Sequence, residues 1–135
     1  MDTSYYPTTG NVKTGGTIVS ATKLNDAEKE ALQKAEKLLD AFRQVRPTMP
    51  LQHAYTFLLV ALNEGQGVQD YAERAGVAQT VMTRHLLDIG QMNRRREPGY
   101  GLVQQRSDPM DLRKHQTYLT PAGRALLHRL IRSIG

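Results

Sequence analysis

The chain has 135 residues, of which 39% are hydrophobic and 23% are charged, and it contains neither cysteine nor tryptophan. A chain of this length can bury about two thirds of its unfolded surface, so the composition predicts one globular domain that needs no disulfide or structural metal. The absence of cysteine excludes thiolate zinc sites and thiol nucleophiles. No apolar run approaches the roughly 20 residues of a membrane span, and no signal peptide is recognisable. We therefore expect a cytoplasmic protein.

The positive charge lies in the second half of the chain. The net charge is +5, but residues 1–75 carry eight basic and nine acidic side chains, whereas residues 76–135 carry ten and four. Nine of those ten cations are arginine, whose planar guanidinium matches phosphate groups and base edges. This asymmetry favours a nucleic-acid partner, although a solvated basic face would explain the charge equally well.

The N-terminal third of the chain is expected to contain a tail and one long helix. Residues 1–24 are rich in threonine, glycine and serine without sustained periodicity, which predicts a flexible tail. A helix over 25–45 is expected because Asn25 offers an N-cap side chain and Glu28 can bond back to the backbone of the cap. Its apolar residues form a stripe that ordinarily faces a core: Ala31, Leu32, Ala35, Leu38, Leu39, Phe42 and Val45.

Three shorter helices are expected next. Two prolines predict a turn, after which a helix over 51–63 is apolar around most of its circumference and should therefore be central. A third helix over 68–75 is followed by Gly76 and by a fourth helix that begins near Ala78 or Gln79. Two short helices joined through a glycine-containing turn are typical of a helix-turn-helix, although generic helical hairpins share this pattern.

The last third of the chain has the pattern of a β-hairpin followed by a helix. Residues 102–107 and 115–119 have strand patterns, and residues 108–111 have the composition of a turn. A threonine followed by a proline then offers the N-cap and the first position of a last helix over 121–134. A hairpin directly after a helix-turn-helix is typical of a wing. The predicted fold class is mainly α with a small β-hairpin wing, an α+β arrangement.

Residues 76–84, 101–114 and 118–124 resemble the MarR family of winged-helix bacterial transcription regulators. The most specific element combines spacing with residue type: Asp108, Asp111 and Arg113, followed by Leu119, Thr120 and Gly123. The resemblance covers about residues 25–135. It implies a winged helix-turn-helix that binds double-stranded DNA as a homodimer, with dimerisation helices at both ends of the domain, at 25–45 and 121–134.

The resemblance also implies which residues contact DNA. On the fourth helix, four polar side chains would meet base edges or phosphates in the major groove: Gln79, Thr80, Thr83 and Arg84. Arg113 would enter the minor groove from the wing tip, with Asp111 orienting it and Asp108 shaping the turn. Lys114 and Arg106 would contact phosphates. The simpler alternative for each residue is a solvated side chain or a local ion pair.

Two features depart from the family pattern. About eight residues are inserted within 90–100, where they either extend the fourth helix or form a loop, and they include Arg94, Arg95 and Arg96. These cations either lie near the DNA backbone or stay solvated and paired with acidic residues such as Glu97. The sequence also ends soon after the last helix, whereas family members continue through a longer helical pair. Dimerisation would then depend more on the first helix and on four apolar residues: Leu126, Leu127, Leu130 and Ile131.

Catalytic and metal-binding motifs are not recognisable in the sequence. The four histidines (His53, His85, His115 and His128) are far apart and form no two-histidine helical motif, so a zinc site has little support. Neither a nucleophile elbow nor a phosphate-binding glycine loop is present. We therefore expect a non-enzymatic, cofactor-free and nucleoid-associated transcription regulator, with a small-molecule effector that no residue identifies. The alternatives are a low-specificity architectural DNA-binding protein and a winged helix that mediates protein contacts.

Overall fold

The computed structural model describes residues 12–14, 17–92 and 95–135. Five helices and two antiparallel hairpins confirm the predicted class, mainly α with a β wing. Among the described residues, no helix is long and apolar enough to cross a membrane. The elements follow one another in the order β1 (Val12–Thr14), β2 (Thr17–Val19), α1 (Asp26–Val45), α2 (Leu51–Leu62), α3 (Val68–Ala75), α4 (Gln79–Ile89), β3 (Val103–Asp108), β4 (Asp111–Leu119) and α5 (Pro121–Ile134).

The chain divides into two units, and the first comprises residues 1–34. In it, β1 pairs antiparallel with β2, an element that the sequence analysis did not predict within the expected tail. Residues 1–11 and 15–16 of that tail lie outside the described part of the chain. The N-cap of α1 is confirmed, because Asn25 Oδ1 accepts a hydrogen bond from the Glu28 amide at 2.8 Å and the Asn25 amide donates to Glu28 Oε1 at 2.9 Å.

The second unit, residues 35–135, has a core built around α2. This helix contacts α3, α4 and β4, as expected for a central helix. Leu126 and Leu130 of α5 are each 2% exposed, so the expectation that they serve dimerisation is wrong. They pack in the core of their own chain because α5 turns this face inward. The side chains that are almost completely buried on α2, α3, α4 and the wing are Phe57, Val60, Tyr71, Met82, Ile89, Val103 and Leu119.

Several apolar side chains that the helical periodicity assigned to core faces are exposed. Leu32 and Leu39 of the α1 stripe are 54% and 48% exposed, whereas Phe42 is buried. On α2, Leu51 and Leu62 are 72% and 79% exposed. The stripe of α1 is therefore only partly covered within one chain.

The wing consists of β3 and β4, which pair antiparallel with Val103 opposite Leu119 and with an irregular register between Ser107 and Asp108. Strand β4 begins four residues earlier than predicted, because the polar residues at its start lie on an exposed hairpin and need no apolar alternation. The loop before α3 also joins the sheet. The Gly65 amide donates to the Thr117 carbonyl at 2.8 Å, and the Thr117 amide donates to the Gln66 carbonyl at 3.0 Å.

Helix α5 begins where the sequence predicts, directly after the wing. Thr120 Oγ1 accepts a hydrogen bond from the Gly123 amide at 3.0 Å and donates to the Gly101 carbonyl at 2.6 Å. A Cβ on Gly123 would lie 2.1 Å from the Leu102 carbonyl oxygen, so the first turn of α5 touches the backbone that enters β3. Only glycine can come this close to the Leu102 carbonyl, because it has no Cβ. This contact and the Thr120 cap explain why Gly123 follows Leu119 and Thr120 at this spacing.

The inserted segment does not extend α4, and its described residues, 90–92 and 95–100, form a loop. The helix ends at Ile89, the Leu102 amide donates to the Ile89 carbonyl, and the Gly101 amide donates to the Gly90 carbonyl, each at 2.8 Å. A Cβ on Gly99 would lie 2.2 Å from the Gly90 carbonyl oxygen, so this residue packs directly on the helix end. The loop is thus closed at its base by backbone hydrogen bonds.

Candidate nucleic-acid interface

Helices α3 and α4 form the predicted helix-turn-helix. Gly76 ends α3 in the left-handed region with φ of 69°, a conformation that glycine adopts without steric cost. Met82 and Leu86 are almost fully buried and turn the inner face of α4 toward the core. The opposite face is therefore exposed, and it carries all four polar residues that the resemblance selects: Gln79, Thr80, Thr83 and Arg84.

A groove runs between the beginning of α4 and the wing. Gln79 and Thr83 line it from the helix, and Arg113 and Lys114 line it from β4. The Thr83 hydroxyl donates to the Gln79 carbonyl at 2.9 Å, which leaves its oxygen able to accept a further hydrogen bond. The fold thus brings four predicted site residues together from two distant parts of the sequence.

The wing tip is organised by its two aspartates. Asp108 Oδ1 accepts from the Met110 amide at 2.8 Å, and Asp111 Oδ1 accepts from the Arg113 amide at 3.1 Å. Asp111 Oδ1 also pairs with Arg113 Nε at 3.3 Å, although the Arg113 side chain is 92% exposed. An ion pair this exposed adds little stability, so its effect is to orient the guanidinium.

The remaining predicted cations are distributed more widely. Arg106 lies over the Tyr118 ring, with its guanidinium carbon 5.2 Å from the ring centroid. Arg95 and Arg96 are exposed in the inserted loop, and within the described residues the groove lining includes neither of them. Arg94 lies outside the described residues.

Several polar residues of the groove were not predicted from the sequence. Gln66, Gln69 and Gln105 also line it, and Arg74 Nε donates to Gln66 Oε1 at 3.3 Å. Gln66 lies between two glycines, and this flanking pattern is a signal for a close backbone approach. Their positions follow from the pairing of the 65–66 segment with β4, which depends on the tertiary fold.

A second polar cluster lies at the other end of α4. His53 Nε2 lies 3.3 Å from Asp88 Oδ2, and His53 Nδ1 lies 2.9 Å from the Tyr100 hydroxyl. The rings of His53 and His85 are 5.6 Å apart. Burial lowers the pKa of His53, with an opposing effect from the Asp88 carboxylate, so the ring is neutral near neutral pH. This cluster was not predictable from the sequence, because His53 and Tyr100 are far along the chain from the two members on α4.

The same arrangement of elements occurs in solved structures of bacterial regulators. MepR from S. aureus, in a complex with DNA, superposes with a TM-score of 0.57 at 18% identity over 79% of this chain and 77% of that chain. A variant of MarR from E. coli in a complex with operator DNA superposes with a TM-score of 0.56 at 16% identity, over 81% of this chain and 68% of that chain. FabT from Streptococcus pneumoniae, also in a complex with DNA, superposes with a TM-score of 0.55 at 19% identity, over 75% of this chain and 64% of that chain. The chain has the MarR winged-helix fold.

The likeness to proteins of the MarR fold is structural. No protein-family model and no curated protein sequence matches the chain. The chain spans 64% of the length of FabT and 66% of the length of the YusO protein from Bacillus subtilis, less than two thirds of either. The candidate groove of this chain lies between α4, the second helix of the helix-turn-helix, and the wing.

Proposed function

We propose that this protein is a sequence-specific transcription regulator that binds double-stranded DNA as a homodimer. The observation that carries the proposal is the groove between α4 and the wing, because it gathers Gln79, Thr83, Arg113 and Lys114 on one exposed surface. Further support comes from MepR, MarR and FabT, which share the fold and whose structures contain DNA.

The proposal gives a chemical role to residues of the groove and to exposed residues beside it on α4, the wing and the inserted loop. Gln79 and Arg84 make paired hydrogen bonds with base edges in the major groove, and Thr80 and Thr83 reach bases or phosphates. Arg113 enters the minor groove, where a narrow A·T-rich stretch concentrates negative potential. The other cations near the wing, Lys114 and Arg106, neutralise phosphates, and so do the loop cations Arg94, Arg95 and Arg96.

The proposed function requires no cofactor and no catalytic step, and the compared structures of known role are regulators. We place the protein on the nucleoid, in the cytoplasm. A small-molecule effector belongs to the proposal as a partner, without an assigned site.

The proposed dimer uses α1 and α5. A groove between these helices carries both signs of charge, with Glu36 and Asp40 on α1 and Arg129 and Arg132 on α5. Leu39 also lines it and is 48% exposed. A symmetric dimer uses the same patch twice, so a surface that combines apolar area with both charges can complement a second copy of itself.

Replacing Leu39 with aspartate is expected to raise the dimer dissociation constant at least about 10-fold. A half-exposed leucine buries its remaining apolar surface on association, an aspartate at the same position would place a charge there, and the substitution occurs twice in a symmetric dimer. Sedimentation velocity over a range of protein concentrations measures the effect. Leu112→Asp is the control, because Leu112 is 74% exposed on the wing. The proposed interface is contradicted if both variants raise the dimer dissociation constant equally, or if Leu39→Asp leaves it unchanged.

Fluorescence anisotropy tests sequence specificity. Labelled duplexes from the DNA upstream of the gene and of scrambled sequence are titrated at several salt concentrations. We expect the upstream duplex to bind at least about 10³-fold more tightly than the scrambled one, and its advantage to persist as salt weakens phosphate contacts. Selection from a pool of random duplexes extends the test, because a specific regulator enriches one sequence.

Two outcomes contradict the proposal and distinguish its alternatives. Equal binding of all duplexes with a steep salt dependence, and no sequence enriched from the pool, indicates an architectural protein. No binding to any duplex at low salt indicates a winged helix that contacts proteins.

A further inference from the structure

His53 of α2 and His85 and Asp88 of α4 form a cluster that the proposed DNA contacts do not use. One ring nitrogen of each histidine and a carboxylate oxygen of Asp88 all lie within 4.8 Å of one another, and the three side chains are half-buried. We propose that this cluster binds a divalent transition-metal ion, for which Zn²⁺ is the best fit.

The donor atoms and their spacing determine the kind of ion. Two imidazole nitrogens and one carboxylate oxygen suit Zn²⁺ and similar divalent ions, whereas Mg²⁺ and Ca²⁺ prefer oxygen ligands alone. In a tetrahedral site with bonds of about 2.0–2.2 Å, two ligand atoms lie about 3.3–3.6 Å apart. His53 Nε2 and Asp88 Oδ2 are already 3.3 Å apart. Small rotations of the His85 side chain complete the set, and water takes the fourth position.

Tyr100 supplies the contact that orients the first histidine. Its hydroxyl lies 2.9 Å from His53 Nδ1, the ring nitrogen that faces away from Asp88. Without metal, the hydroxyl donates to Nδ1 and Nε2–H donates to the Asp88 carboxylate. With metal on Nε2, the proton lies on Nδ1 and is donated to the Tyr100 oxygen. The ring is neutral in both states, and such outer contacts are typical of histidine metal ligands.

His85, the second histidine of the cluster, has a ring nitrogen without a hydrogen-bond partner among the described residues. His85 Nδ1 is buried and has no hydrogen-bond partner in the part of the chain that the structure describes. Buried polar atoms nearly always have a partner, so an unpartnered imidazole nitrogen beside a histidine and a carboxylate is unusual. Coordination through Nδ1 would give this atom the partner that it lacks.

The position of the site links it to the recognition helix. Two ligands lie on α4, one lies on the central helix α2, and the Tyr100 amide donates to the Asp88 carbonyl at 3.1 Å just before the wing. A bound ion therefore ties the end of α4 to α2. The binding of the ion itself does not depend on the proposed DNA contacts.

The test is a metal titration of the full-length, tag-free and metal-free chain in the absence of DNA. Co²⁺ is added first, because its visible absorption bands report a four-coordinate site with nitrogen ligands, and Zn²⁺ binding is then measured by calorimetry. We expect one ion per chain. Loss of an outer contact weakens metal binding about 10- to 100-fold, so His85→Gln and Asp88→Asn, which remove ligands, should weaken it at least about 10-fold.

His128→Gln is the matched control, because it removes an exposed histidine of α5 outside the cluster. Tyr100→Phe keeps all three ligands and should weaken binding about 10- to 100-fold, which preserves the test if a ligand variant fails to fold. The proposal is overturned if no Co²⁺ spectrum develops, if the cluster variants bind like the wild-type chain, or if His128→Gln weakens binding as much as they do. Because no DNA is present, none of these results bears on the proposed DNA-binding function.

Discussion

Replacing Phe57 with alanine is expected to lower the free energy of unfolding by about 3–5 kcal/mol. Phe57 is fully buried on α2, and its ring meets the Phe42 ring of α1 edge to face, with 5.9 Å between the ring centroids. The substitution removes a large apolar group and an aromatic pair, and the surrounding helices can only partly close the cavity. Urea denaturation followed by circular dichroism measures the loss, at one fixed chain concentration because the proposed dimerisation would also contribute to stability.

The control for this prediction is an apolar residue that packs against nothing. Met110 is 92% exposed at the wing tip, so Met110→Ala should change the free energy of unfolding by no more than about 0.5 kcal/mol. Domains of this size have only about 5–15 kcal/mol of stability, so Phe57→Leu serves as a milder variant that remains measurable. If Phe57→Ala cost no more than Met110→Ala, the core would not be centred on α2.

Replacing Arg113 with alanine is expected to weaken operator binding by about 1–3 kcal/mol, or about 5- to 150-fold. Its guanidinium is exposed, is oriented by Asp111 at 3.3 Å and lines the same groove as Gln79 and Thr83. The loss should appear in binding alone, because an exposed ion pair contributes little to folding. Anisotropy titrations with the operator duplex at constant salt measure it.

A charge-matched control separates this contact from the overall positive charge. Arg124→Ala removes the same charge from an exposed position on α5 and should change affinity much less. Replacing the A·T pairs that flank the operator with G·C pairs should weaken the wild-type protein and leave Arg113→Ala almost unaffected, since both changes remove the minor-groove contact. If Arg113→Ala and Arg124→Ala lost the same affinity for the operator duplex, Arg113 would contribute only through its positive charge and not through a specific minor-groove contact.

Local signals explain why so much of the helical fold was predictable. The N-caps at Asn25 and Thr120 depend on residues within three positions of each other, and both are present as hydrogen bonds. Helix α3 has the predicted bounds, because a glycine stands just before it and another just after it. The short strands β1 and β2 were missed although β-branched residues flank two glycines there, since three-residue strands show too little alternation to detect.

Periodicity identified the apolar faces of the helices but not what covers them. The stripe on α1 contains both buried Phe42 and half-exposed Leu39, and the same spacing predicted both. Leu126 and Leu130 were expected to contribute to a dimer interface, yet they are buried in the core of their own chain. The packing of α5 on the rest of the chain decides which of its apolar residues meet the core. This packing cannot be read from the spacing of residues within the helix.

The candidate groove was predictable in part for the same reason. The family resemblance implied Arg113 with its two aspartates on the wing and implied Gln79 and Thr83 on the fourth helix, but only folding brings the two sets together. The histidine cluster had no sequence signal, because His53 and His85 meet through the packing of α2 on α4.

The backbone closure of the inserted loop makes the loop a side branch of the fold. The Leu102 and Gly101 amides are hydrogen-bonded directly to the Ile89 and Gly90 carbonyls, so these bonds hold the end of α4 against the start of the wing without using the residues between them. The length and charge of the loop can therefore change without altering the distance between α4 and the wing, the two elements to which the proposal assigns the DNA contacts. Substitutions in the loop would then alter the charge beside the proposed DNA-binding surface while the hydrogen bonds that align α4 with the wing stay constant.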